Sequence, residues 1–143
     1  MNLTSYQQGM TWYHLLIYFV LFANAGACIM NAIGFLYIFM QSDSLQILYV
    51  LLVLAYLIMT VFTLATRHSL AKKREKAPEL LSALFSCNAY ATVASGLVLL
   101  LAAPVPFHNP TMIAFLIFAF TNWNVLKALN NKYFKKRRSL FVN

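Results

Sequence analysis

Charge is scarce in this chain: of 143 residues, 3 are Asp or Glu and 11 are Lys or Arg, 10% in all, where a soluble domain carries about 25%. That inventory cannot cover a water-facing surface, and with 62% of residues hydrophobic a disordered chain is excluded as well. Cysteine is nearly missing, with Cys28 and Cys87 alone and no Cys-x-x-Cys pair, so neither a disulfide scaffold nor a thiolate metal site is expected. The histidines, His14, His68 and His108, are too dispersed to converge on one metal ion, and no cofactor is expected. No Lys or Arg precedes the first apolar run, so that run lacks the basic flank of a signal peptide.

What the chain has instead is long uncharged stretches. Residues 1–42, 44–66 and 80–126 contain no Asp, Glu, Lys or Arg, and a bilayer-spanning helix needs about 20 predominantly apolar residues. The pattern predicts an all-α integral membrane protein, a single transmembrane domain over 1–143. Its spans are expected at about 12–40, 45–66, 79–103 and 111–134, with a basic loop at 67–78 and a basic tail at 135–143. The first span exceeds an average hydrocarbon core and must tilt, kink or begin in the interface. Pro104, Pro106 and Pro110 end the third span, because proline cannot continue a helix unbroken.

The basic residues fix an orientation by the positive-inside rule. Arg67, Lys72, Lys73, Arg74 and Lys76 lie between spans two and three, and Lys127, Lys132, Lys135, Lys136, Arg137 and Arg138 lie at the end of span four. An antiparallel bundle of four helices with both termini cytoplasmic collects all of them on one side. A net charge of +8 flanking membrane spans points to anionic headgroups, each cation being worth about 1 kcal/mol at the surface, and not to nucleic acid. Arg67, Lys72, Lys73, Arg74, Lys76, Lys135, Lys136, Arg137 and Arg138 are the expected contacts for anionic lipid or an acidic partner. The tail is expected to lie along the interface with Tyr133, Phe134, Leu140 and Phe141 dipping into the headgroups. A multi-pass protein of a bacterial plasma membrane is the expected setting.

Inside the spans, small and polar residues recur at helical spacing. Asn24, Ala27, Cys28, Asn31 and Gly34 share a face of span one, and Ser82, Ser86, Ala89, Thr92 and Gly96 share one of span three, with Asn88 beside them. Small residues let backbones approach and amides bond across helices, so spans one and three are expected to pair. Asn24, Asn31, Gly34, Asn88, Thr92, Ser95, Gly96, Asn122 and Asn124 are therefore candidates for helix packing or for a solute pathway. The aromatic spans two and four are expected on the outside of the bundle.

Three functions follow. The first is a non-catalytic oligomeric or accessory subunit, packed against copies of itself or a larger membrane partner. The second is a passive channel or transporter for a small neutral solute, since the span centres hold no ionisable group that a coupled pump would use. The third is a membrane-embedded enzyme acting on a lipid-like substrate at the cytoplasmic interface, with Arg67 and His68 as its first candidates. No catalytic constellation stands out, and an accessory role is the expectation. Length and basicity match those of the small four-span enzymes of eicosanoid and glutathione metabolism, but their arginine- and glutamate-bearing cytoplasmic signature is not found between Arg67 and Glu79, so no residue is carried over.

Overall fold

The computed structural model describes residues 10–102, 110–138 and Phe141, and these are all-helical, with no strand. Four helices are long and apolar enough to cross a membrane: α1 (Thr11–Gln41), α2 (Gln46–Ala71), α3 (Ala77–Ala102) and α4 (Pro110–Lys135). The expected turn residues Pro104, Pro106 and His108, and Leu140 of the tail, lie outside the described residues. Pro110 opens α4, where a missing backbone N–H costs no helical bond.

One helix reaches well beyond the apolar stretch that defines it in sequence. α2 continues through Arg67 to Ala71, because Leu70 is fully buried and Ser69 nearly so; polarity ends the hydrophobic run without ending the helix. The loop shortens accordingly to residues 72–76. α2 stops in a Schellman motif in which the Arg74 N–H donates to Ser69 O at 3.0 Å and the Lys73 N–H to Leu70 O at 2.9 Å. Lys73 supplies the left-handed residue, φ 51°, where glycine is usual.

α1 would be about 46 Å long at 1.5 Å per residue, and it is interrupted by a π-helical segment, Leu16–Val20. The segment faces α2, and the carbonyl of Ile17 accepts a hydrogen bond from Arg67 Nε at 3.0 Å. The same guanidinium lies 4.2 Å from the centroid of the Phe22 ring.

The helices pack in chain order, α1 on α2, α2 on α3 and α3 on α4. This corrects the expectation that spans one and three form the close pair. Connections of only a few residues, Ser42–Leu45 and 72–76, force consecutive helices to be neighbours, and Ala27, Asn31 and Gly34 of the small-residue face are left exposed. Contact between α1 and α3 is made by large side chains at the basic end, where Tyr13, Leu16, Leu21, Leu81, Leu84 and Phe85 share one apolar cluster. A second cluster at the other end gathers Cys28, Phe35, Tyr49, Tyr56 and Val98.

The tail also departs from expectation. Phe134 and Phe141 are buried, 3% and 5% exposed, and the Phe141 ring meets Tyr13 and Phe134 edge-on at 6.2 and 5.4 Å. With α4 ending at Lys135, the chain turns back and these rings enter the basic-end cluster instead of the headgroup layer. Tyr13 is anchored there by its hydroxyl, which donates to Leu70 O at 2.6 Å.

Candidate functional sites: an interhelical cleft and an uncovered seam

Between the apolar clusters lies a polar layer. Asn24 Nδ2 donates to Thr63 Oγ1 at 3.1 Å, and Thr63 donates in turn to Met59 O at 2.7 Å. Tyr56 and Ser95 share a hydrogen bond of 2.8 Å between α2 and α3. Seven residues further along each of these helices, toward the basic end, stand Thr63 and Asn88. Asn88 is buried and its Nδ2 has no hydrogen-bond partner among the described residues, while Thr92 Oγ1 donates back to Asn88 O.

The polar residues named from sequence therefore divide. Asn24, Asn88 and Ser95 face the interior, and Gly96 packs so closely on α4 that a methyl group there would overlap the Leu116 side chain. Asn31, Gly34, Asn122 and Asn124 are on the outer surface, and Asn124 Nδ2 returns to Phe120 O at 2.9 Å. These residues do not share one lumen within a single chain. Of the interfacial pair, Arg67 is engaged by Ile17 and Phe22 as described, and the neighbouring His68 is exposed.

At the basic end, α3 and α4 separate to leave an open cleft of about 550 Å³. Glu75 and Glu79 form one wall, with Ser82, Ala83 and Ser86 below them. Lys127, Asn131, Lys135 and Arg138 form the other, and Phe134 lies at the base. The helix pairing that builds it runs from Glu79 beside Arg138, through Phe85 on Trp123, to Tyr90 beside Phe120. Among the described residues the one ion pair is Arg138 Nη2 to Glu79 Oε1, at 4.0 Å and largely exposed. Such a pair is worth at most about 1 kcal/mol. Of the basic contacts read from sequence, Lys135 and Arg138 enter this cleft; Lys72, Lys73, Arg74, Lys76 and Lys136 are exposed outside its lining, and Arg137 lies over the Tyr133 ring at 3.9 Å. Lys127, Glu75 and Glu79 complete a site whose signal in the sequence was the charge itself, legible as a cleft only once α3 and α4 are side by side.

α4 is the least covered helix. Its half-buried and buried positions, among them Leu116, Trp123, Leu126, Asn130 and Phe134, occupy one face. On another face Phe115, Phe118, Asn122, Val125 and Leu129 recur at alternating spacings of three and four residues, and all five are exposed. That is the spacing of a coiled-coil seam with one polar position. The sequence contains it, but only the packing shows which face of α4 is left without a neighbour.

The fold and these two surfaces define the class: a helical protein with the spans of a multi-pass membrane protein. No protein-family model, no curated protein and no solved structure matches the chain.

Proposed function

We propose that this protein is a non-catalytic membrane subunit that works as an assembly of copies joined through α4, its four spans antiparallel and both termini cytoplasmic in a bacterial plasma membrane. The observation that carries the reading is Asn122, an exposed amide near the middle of α4 in an otherwise apolar seam. An amide facing hydrocarbon has no partner from solvent. A second copy of the same seam, brought up by a two-fold axis, presents an identical amide that both donates and accepts, so the group satisfies itself. Each such bond contributes about 0.6–2 kcal/mol within a membrane, and Phe115, Phe118, Val125 and Leu129 supply the packing around it.

Disulfide trapping of the full chain in liposomes tests this, in a background where Cys28 and Cys87 are replaced by Ala. Val125→Cys and Phe118→Cys, on the seam, should cross-link copies, and Ile117→Cys, exposed on another face, should not. Asn122→Ala should weaken association by roughly 3- to 30-fold. A particle that stays monomeric at every protein-to-lipid ratio refutes the proposal. Orientation is checked by labelling from outside. Ser69 is buried and reports poorly, so Lys72→Cys serves for the basic loop and Ser44→Cys for the opposite turn; only the latter should react in intact cells.

A further inference from the structure

The cleft between α3 and α4 carries an unusual charge arrangement for so basic a chain. Of the three acidic residues, Asp43 is in the Ser42–Leu45 turn, and both others, Glu75 and Glu79, line this one cleft. Facing them are Lys127, Lys135 and Arg138. A bare anion entering here would meet two carboxylates, and a bare cation three positive groups. A ligand carrying both charges a few bonds apart is repelled by neither wall.

Lys127 adds a second observation. It lies two turns inside α4 from the end at Lys135, about 12 Å deep along the helix, and half-buried, yet no carboxylate stands within ion-pair distance of it among the described residues. A half-buried cation with no carboxylate beside it leaves a place for an anionic group. Beside it Ser82 and Asn131 offer neutral hydrogen-bonding groups, and the cleft's volume falls in the range of small-molecule sites, about 300–1,000 Å³. Its lower wall, Ala83 and Phe134, is apolar, and the groove stands beside the exposed flank of two membrane-spanning helices.

We propose that this cleft binds the headgroup of an aminophospholipid, its phosphate held by Lys127, Lys135 and Arg138 and its primary ammonium by Glu75 and Glu79. Binding exchanges the long, exposed Arg138–Glu79 pair for charge-assisted hydrogen bonds on both walls. A primary ammonium has N–H groups to give to the carboxylates. A choline headgroup has none and is recognised by aromatic cages, whereas the one aromatic lining residue among the described residues, Phe134, is buried at the base of the cleft.

The test is native mass spectrometry on the delipidated full chain, titrated with phosphatidylethanolamine, phosphatidylcholine and phosphatidylglycerol of identical acyl chains. Phosphatidylethanolamine should bind about tenfold tighter than either of the others. Glu75→Gln with Glu79→Gln should bring phosphatidylglycerol to parity with it, and Lys127→Ala should weaken all three. Asp43→Asn, which removes the same charge at the other end, should change nothing. Equal binding of the three lipids, an ethanolamine preference that survives the double Gln variant, or the same loss from Asp43→Asn overturns the proposal. Soluble glycerophosphoethanolamine should fail to displace the lipid; displacement at equal concentration overturns the bilayer as the source of the ligand. Unchanged helical circular dichroism and elution volume establish that each variant is folded.

Discussion

Replacing Arg67 by Ala removes two interactions with α1: the 3.0 Å bond from Nε to Ile17 O in the π-helical segment and the guanidinium over the Phe22 ring just beyond it. A hydrogen bond from a charged donor contributes about 1.5–3 kcal/mol, and a cation over a ring at a partly open site about 0.5–1 kcal/mol. Their sum, about 2–4 kcal/mol, is reduced in membranes because the unfolded chain also finds partners there, so we expect a loss of about 2 kcal/mol, close to 30-fold in the folding equilibrium. Arg67→Lys should recover less than half, since an ammonium lacks the flat fork that donates to a carbonyl while lying across a ring. The assay is reversible unfolding in mixed micelles followed through the fluorescence of Trp12, whose Nε1 donates to Asn130 Oδ1, and of Trp123. If both variants stay within about 0.5 kcal/mol of the parent, the size of an ordinary surface change, the guanidinium is not what holds this turn, and the reasoning fails.

Three further outcomes can be read in the same assay. Lys73→Gly should stabilise the protein by about 1 kcal/mol, because a left-handed backbone costs a side-chain-bearing residue about 1–2 kcal/mol that glycine does not incur. Gly96→Val should cost about 1–3 kcal/mol by overpacking against Leu116, and Leu116→Ala in the same chain should restore part of the loss; an equal cost with and without that change removes the close approach as the cause. Tyr56→Phe and Ser95→Ala, singly and together, should show a coupling of about 0.6–2 kcal/mol for their 2.8 Å bond. Additive losses would mean the two hydroxyls act independently.

The number and approximate limits of the helices were legible because the apolar sequence is interrupted at few points, by charged residues or, between α3 and α4, by prolines that cannot continue a helix. Neighbour relations were not. Ala27, Asn31 and Gly34 form a stripe that reads as a packing face, yet short turns had already committed α1 to α2 and left the stripe outside. Phe141 reads as an interfacial anchor beside its cations, and nothing local signals that the helix stops at Lys135 and lets the ring fold inward. The cleft was half legible: Lys135 and Arg138 stood out as lipid contacts, whereas Glu75 and Glu79 were visible only as two of the three acids in the chain. That they face one another depends on the pairing of α3 with α4, to which residues far apart in sequence contribute. Asn122 stood out as a polar group within a span, but its place in an exposed seam follows from what α4 does not touch.

The contact of Phe141 with Tyr13 has a consequence for biosynthesis. About 130 residues separate the two, and at roughly 5–20 residues per second a ribosome needs on the order of 6–26 s to make them. Through that interval the opening turn of α1 sits in the membrane without its final neighbour, and Phe134 of α4 likewise arrives late. α1, made well before α4, is thus among the last elements to settle, and a bulky fusion placed just after Phe141 would strain the opening turn of α1 as much as the turn that follows α4.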